Sequence, residues 1–460
     1  MRGRRVRNVF MTFLFVLTLL GIVGSAYAYL QIGRTPGELL DYADKRLQGH
    51  PNLEQLAAPL FSLIRQLTNQ PAELDRLKLP FVIPTPPLLV IDQQQLARLT
   101  APDANVIRVG DGQAVLTIAE AARVAKDGDV VEIIAGNYYG DVALWLQRRL
   151  TIRAVGGRAR IYANGKAAEG KAIWVFRNGD FTVENIEFIE AKVADRNGAG
   201  IRAEAGSLTV SNCLFFGNQN GILTTADLLS LDVQRSEFAY NGDGDGYSHA
   251  IYVGAIAQFR ALGNYFHHAN RGHLIKSRAE KSVIAYNRIT DEIDGRASYE
   301  IDLPNGGEAV VAFNIVQQSS SGENSALISF GAEGLRWQSN QLWLEKNTLV
   351  NDNPWGGTML RVASGVDKVT AVNNLILGLG GIQSAAKQTI VDNVDAQWSW
   401  FVMPQRFDYR LKMPIPLVEE AYARPTQVPA AGYYIEHSDY QVDATADQFA
   451  GALPVVRASF

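Results

Sequence analysis

GYSHAIYVG at 246–254, RGHLIKSRA at 271–279 and SYEIDLPNGG at 298–307 decide how this chain folds. Aligned on Ile251, Ile275 and Ile301, they put Tyr252, Lys276 and Asp302 at one position, with spacings of 24 and 26 residues. The register runs back to Ile222 and Ile201 and forward to Ile328, Leu360 and Ile382, so a short strand returns about every 26 residues. Self-similarity at that period signals a solenoid.

A second marker, an Asn followed by apolar residues, recurs at Asn185, Asn212, Asn264, Asn287, Asn314, Asn347 and Asn374, with Arg235 filling the gap. Asn tolerates the left-handed backbone of a tight turn and bonds to nearby backbone, so one per coil predicts a stacked ladder. Between the markers lie LTVSNCLF, SVIAYNRI and AVVAFNIV, rich in β-branched and aromatic residues, and no helix-length amphipathic pattern intervenes. The prediction is an all-β chain, a right-handed parallel β-helix of about three short strands per coil, with alternate side chains inward and outward.

Composition narrows the rest. A solenoid absorbs 460 residues without splitting into domains, because each coil touches only its neighbours. A net charge of −4 gives no basic field, which argues against nucleic acid as a partner. Cys213 is the only cysteine, so no disulfide forms within this chain, and its apolar strand predicts a buried small hydrophobe.

The ends differ from the middle. Four arginines within residues 1–8 precede an apolar run from Val9 to Leu30, long enough to cross a bilayer with the N-terminus in the cytoplasm. Residues 1–30 are therefore expected to be a membrane anchor, or a signal peptide cleaved after Ala28 at the small-x-small sequence Ala26-Tyr27-Ala28. The first case gives a single-pass inner-membrane protein with a periplasmic domain, the second a periplasmic or secreted one. Residues 31–104 read as a helical stalk and proline-rich linker. Thr35, Pro36 and Glu38 form one helix start, and a second run, Leu53, Leu56, Leu60, Phe61, Ile64 and Leu67, has helical spacing with a break expected at Pro59. Its apolar stripe is expected to pack rather than to receive a partner. The β-helix is expected over 105–395, opened by a helix from Thr117 to Ala125, with Thr117 and Glu120 as capping box, whose Ile118, Ala121, Ala122, Val124 and Ala125 cover the first coil. Residues 396–460 read as an irregular C-terminal cap.

DGDVVEIIAGNYYGD, AIWVFRNGDFTVENIEF and GAGIRAEAGSLTVSNCLFFGNQNGI resemble the pectate-lyase-like superfamily of parallel β-helix proteins, over roughly residues 105–395. That superfamily holds polysaccharide lyases, hydrolases, uronate epimerases and non-catalytic proteins, so the resemblance implies a fold more than a reaction. Within it, IKSRAEKSVIAYNRI is similar to the Lys-Ser coil of the alginate lyase and chondroitinase B family. There the lysine is implicated as base, a role the resemblance implies for Lys276. The next coil carries Arg-His-Gly in that family and reads YEIDLPNGG here.

The residues themselves suggest a chemistry. If the isoleucines point inward, Arg202, Leu223, Tyr252, Lys276 and Asp302 point outward on neighbouring coils about 4.8 Å apart, and Arg278 shares the face of Lys276. Uronate β-elimination needs positive charge on the carboxylate, a base for the C5 proton and a donor for the leaving oxygen. Lys276 is the candidate base if crowding by Arg278 disfavours its ammonium; Tyr252 or His249 is the candidate donor; Arg202 or Arg278 would hold the carboxylate. Structural alternatives stand beside these roles. Lys276 and Asp302 would also form a ladder ion pair, Arg278 could pair with Glu300, and Tyr252 could shield the sheet. By alternation His249 and His273 face inward as stacked, hydrogen-bonded structural residues. His267 and His268, in a turn, are expected at the surface. Glu300 and Asp302 would share one face, which keeps a glycoside hydrolase open. The residues name no definite cofactor, and calcium stays open. Calcium is the ion for which a pattern exists, Asn241, Asp243 and Asp245, but Tyr252 stands where an EF-hand needs its closing Glu, and a metal-free turn is the expectation.

The preferred function is an envelope protein acting on an acidic polysaccharide by β-elimination or C5 epimerisation. The alternatives are a non-catalytic polysaccharide-binding or assembly protein and a glycoside hydrolase.

Overall fold

A computed structural model describes residues 40, 51–68, 105–353, 356–415, 417, 425–435, 439–442 and 450–453. The expected anchor at 1–30, the Thr35–Glu38 helix start and the proline-rich linker lie outside the described residues. Among the described residues no helix is long and apolar enough to cross a membrane.

From Val106–Val109 to Gln388–Ala396 the chain is a parallel β-helix in which every strand pairing between coils is parallel. One face is a ten-stranded sheet from Ala143–Trp145 to Gly381–Ser384. Its register is the one read from the isoleucines: Ile201, Ile222, Ile251, Ile275, Ile301, Ile328, Leu360 and Ile382 are successive partners. The apolar period sets this register because a slip of one residue would turn every buried side chain into solvent. Inside, Phe188, Phe215, Phe238 and Phe266 stack ring on ring at 5.0, 4.6 and 4.7 Å, the rise from one coil to the next. Cys213 is fully buried, and burial pushes its thiol up to about 12.

The polar ladder is real but shorter than the marker series suggests. Asn264, Asn287, Asn314, Asn347, Asn374 and Asn393 stack, each Oδ1 accepting from the backbone N–H and Nδ2 of the residue before. Asn185, Asn212 and Arg235 are not members. They occupy the preceding, left-handed position, φ 63°, 50° and 47°, shared by Tyr286, Phe313 and Lys346. At the ladder position those coils carry Cys213 and Ser236, and Ser236 Oγ and Asn264 Oδ1 each accept the backbone N–H of the residue below. Two adjacent turn positions, both favourable to Asn, had been read as one.

A second departure concerns alternation. Before Ile251, Ile275 and Ile328 one further residue also enters the core: Ala250, Leu274 and Leu327 belong to the same buried cluster as those isoleucines. Glu300 holds that place on its coil, between Leu274 and Leu327. It therefore faces inward, away from Asp302, which corrects the expectation of a shared face. Glu300 is fully buried, neither carboxyl oxygen has a hydrogen-bond partner, and burial, with Asp291 nearby, pushes its pKa well above 4.5. A group neutral in the fold and ionised when unfolded contributes its full stability below pH 4.5 and loses it as pH rises towards its folded pKa. Glu300→Leu is expected to raise stability at pH 7 by about 1–3 kcal/mol, with a smaller gain at pH 4. Thermal unfolding at the two pH values checks this, and a gain independent of pH would contradict it.

A helix covers the first coil, and the C-terminal segment packs along one side of the stack. Thr117 Oγ1 accepts the N–H of Glu120 at the start of helix Ile118–Val124, whose Ile118, Ala121 and Ala122 are buried with Ala125, whereas Val124 is exposed. Asp141 accepts the N–H groups of Ile118 and Ala119 and pins the helix over the first coil. In the C-terminal segment Trp398, Phe401, Tyr409, Leu411 and Tyr434 pack on Ile315, Val350, Leu375 and Leu377, a lateral outer face contributed by several coils. Pro51–Thr68 is a single helix running through Pro59, where a break was expected; Leu53 and Leu60 of its stripe are exposed rather than packed.

Candidate functional site

The register brings Tyr252, Lys276 and Asp302 side by side on successive coils of the ten-stranded face. Lys276 Nζ lies 3.2 Å from Asp302 Oδ2, the expected ladder pair, and 2.6 Å from Oε1 of Glu333. Arg278 donates to Oε2 of Glu333 at 2.5 Å, to Tyr252 Oη at 3.0 Å and to Asn305 Oδ1 at 2.6 Å. One carboxylate thus bridges both cations. Arg278 does not pair with Glu300, and Lys276 lies between the carboxylates of Asp302 and Glu333.

His249 and His273 stack at 4.7 Å, as expected, but they face the groove. The His249 ring stacks on Tyr252 at 5.7 Å, and His273 Nε2 lies 3.5 Å from Asp302 Oδ2. The reason is the paired inward residues: with Ala250 and Ile251, or Leu274 and Ile275, both in the core, alternation fails and the preceding histidine swings outward. Only glycine fits between these coils at 272, where φ is 73° and an added Cβ would lie 1.8 Å from Ser248 O.

Their protonation follows from the ladder they build. His249 Nδ1 accepts the N–H of His273, and His273 Nδ1 accepts the N–H of Tyr299, which leaves the proton of each neutral ring on Nε2. With both Nδ1 atoms occupied as acceptors, His273 presents its Nε2–H to Asp302, 3.5 Å away. Burial, reinforced by Lys276, pulls His273 from 6.5 to about 3, and burial lowers His249 as well. A depressed histidine contributes stability that is lost as pH falls from 6.5 towards 3, because only the unfolded chain takes up the proton. His273→Asn is expected to flatten this acid loss between pH 6.5 and 4.5. Unfolding midpoints across that range test it, and an unchanged slope would contradict it.

The two carboxyls of the site are tuned apart. Burial pushes Asp302 above its ordinary range despite Lys276, and its Oδ1, beside Ser329 on the next coil, makes no well-formed hydrogen bond. Burial also acts on Glu333, but hydrogen bonds from Lys276 and Arg278 outweigh it and hold that carboxyl low. Environments that separate two carboxyl pKa values are how acid and base roles are divided.

The structure does not bring every expected residue here. Arg202 is three coils from Lys276 and faces Glu204, 3.5 Å away, in a separate network with Lys171, Arg177 and Glu169. His267 and His268, expected at the surface, are largely buried against Glu237 and Glu292. Asn241, Asp243 and Asp245 do not present a calcium set: Asn241 is a buried partner of Asn218, Asp243 pairs with Arg196, and Asp245 accepts the N–H of Tyr247. Among the described residues no group of three or more His, Cys, Asp or Glu side chains is arranged for a metal ion. Glu333, Asn305 and Trp337, whose Nε1 donates to Arg278 O at 3.2 Å, were not foreseen. Glu333 and Trp337 lie in an insertion, 331–340, outside the repeat. Its place directly after a groove strand was the available signal.

These coils form a parallel β-helix with a cluster of charged and polar side chains on its ten-stranded face. The crystal structure of pectate lyase Pel9A matches 80% of this chain and 100% of its own, with a TM-score of 0.55 and 12% sequence identity, a likeness of fold. No protein-family model matches the chain, and no curated protein sequence does.

Proposed function

We propose that this groove binds an acidic polysaccharide and acts on a uronate residue by β-elimination or C5 epimerisation. The observation that carries the reading is the convergence of Lys276 and Arg278 on one carboxylate, with a raised carboxyl and the Nε2–H of His273 beside them. With a uronate carboxylate on the two cations, negative charge developing as C5 loses its proton is stabilised. Asp302 takes that proton, replacing Lys276 in the role. Tyr252 accepts from Arg278 and so directs its own proton elsewhere, towards the leaving oxygen. In elimination the C5–H and C4–O bonds break, the C4=C5 double bond forms, and Tyr252 protonates the released oxygen. In epimerisation C5 is reprotonated from the opposite side.

The test is incubation with a panel of uronate polymers, with and without calcium, in deuterated water. Ultraviolet absorbance reports the unsaturated product of elimination, whose C5 carries no hydrogen, and deuterium at C5 reports the reprotonation of epimerisation. The wild-type chain is expected to give one of the two signals and Asp302→Asn neither, a loss of about 10²–10⁴-fold. A polymer retained without change would support a binding module instead.

A second reading, glycoside hydrolysis, is favoured by Asp302 and Glu333 standing across one ammonium with their pKa values driven apart. A retaining glycosidase sets its two carboxyls about 5 Å apart. New reducing ends without ultraviolet absorbance would select it.

A further inference from the structure

Glu333 reaches the groove from a loop whose backbone is fastened elsewhere. Its own N–H donates to Pro304 O, Arg336 N–H donates to Asn305 O, Asn305 Nδ2 donates to Gly334 O, and Trp337 Nε1 donates to Arg278 O. The side chain alone crosses to the cations. It is also the outermost member of the cluster: its side chain is 45% exposed, whereas those of Lys276 and Asp302 are 9% and 3% exposed. Glu333 thus covers the groups to which the proposed function assigns binding and proton transfer.

Its geometry is that of a ligand. The two oxygens of one planar carboxylate go to two different cations, at 2.6 and 2.5 Å, and no other acid takes both. Without Glu333, Lys276 would keep Asp302 as its acidic partner, but Arg278 would be left with the neutral oxygens of Tyr252 and Asn305. A second carboxylate arriving from solvent could restore both bonds at the cost of one rotamer change in a half-exposed side chain.

We propose that Lys276 and Arg278 form a carboxylate-binding site which Glu333 fills from within and vacates for the carboxylate of the substrate. That the incoming group is a uronate rests on the function proposed above; that the site takes a carboxylate does not. The exchange makes the groove selective. Empty, the cluster of two cations and two carboxylates carries no net charge, so it does not collect anions in general. A ligand enters when its carboxylate bridges both cations and replaces what Glu333 gives up. A neutral sugar has nothing to put in that place, and chloride cannot span the two donors.

The test uses the full chain as wild type, Glu333→Ala, Glu333→Gln and Glu333→Ala/Lys276→Ala. Acetate is the probe for the site itself, compared with chloride at equal ionic strength. Acetate is expected to raise the unfolding midpoint of Glu333→Ala, leaving wild type and the double variant unmoved, since a ligand stabilises only the fold that binds it. An indifferent Glu333→Ala overturns the proposal. Oligouronate affinity is the second arm: Glu333→Gln, which keeps the shape and loses the charge, is expected to bind at least about tenfold more tightly than wild type. Unchanged or weaker binding by Glu333→Gln, where wild type binds, also overturns it. If no chain binds any uronate, the acetate arm decides alone: restored stability upholds the carboxylate site while the polysaccharide assignment falls.

Discussion

Lys276→Ala is expected to lose uronate binding and to cost on the order of 3–5 kcal/mol of stability at pH 7, because it strands a buried carboxylate. Asp302 is almost fully enclosed and would keep the His273 N–H, 3.5 Å away, and the Ser329 hydroxyl on the next coil as neighbours, but no cation in direct contact. Burial already raises its pKa above 3.8, and removal of Lys276 raises it further. The sign of the pH dependence follows. A carboxyl raised in the fold retains its contribution below pH 3.8 and loses it as pH rises, so the deficit of Lys276→Ala shrinks on acidification towards pH 4. The double variant Lys276→Ala/Asp302→Ala should lose less stability than Lys276→Ala alone, since no charge is then left behind. Unfolding curves of the three variants at pH 7 and pH 4 provide the check. Equal deficits at both pH values would mean that Asp302 is not the group left unpaired.

Asn314→Ala is expected to be as damaging without touching the groove. The Asn314 side chain makes four buried hydrogen bonds: Oδ1 accepts from N–H and Nδ2 of Asn287, and Nδ2 donates to Ile284 O and Asn347 Oδ1, all at 2.8–3.0 Å. Alanine removes all four: Asn287 N–H loses its acceptor, and Asn287 Nδ2 and Asn347 Oδ1 each keep only one bond, to Ala261 O and from the residue 314 N–H, at roughly 1–3 kcal/mol for each group left without a partner. A loss of about 4 kcal/mol or more is therefore expected from unfolding midpoints. Asn212→Gly is the companion measurement. Asn212 is at the left-handed position with φ 50°, which glycine adopts freely, so it should cost well under half as much. Equal losses would show that the two positions are not distinct.

The contrast between those asparagines marks what the sequence could and could not reveal. The strand period was legible because one inward isoleucine per coil is a constraint that every coil obeys, and it put Tyr252, Lys276 and Asp302 together correctly. The ladder was half legible: Asn suits both a left-handed turn and a buried stack, so letters alone merged two adjacent positions. Alternation failed where the chain turns the corner into the groove strand. There two consecutive residues enter the core, a backbone irregularity that no side-chain pattern announces, and it moved His249, His273 and Glu300 to the opposite sides from those expected. Glu333 was illegible for another reason. It arrives 57 residues after Lys276 from an insertion that obeys no period, so only the folded chain brings the two together. Arg202 shows the converse, a residue with the right register and chemistry whose coil lies too far along the stack to join the others.

The central claim is that the groove recognises a carboxylate, and the most direct measurement compares one polysaccharide with its own carboxyl-reduced form. Backbone, linkage and length are then identical, and only the charge at C6 differs. Affinities of the wild-type chain for the two forms would be measured across the uronate panel. At least one uronate form is expected to bind, its reduced counterpart to bind at least about a hundredfold more weakly, as the loss of a paired charge requires, and Lys276→Ala to remove the difference. Equal affinity for both forms, or a preference that survives in Lys276→Ala, would contradict the assignment of this site.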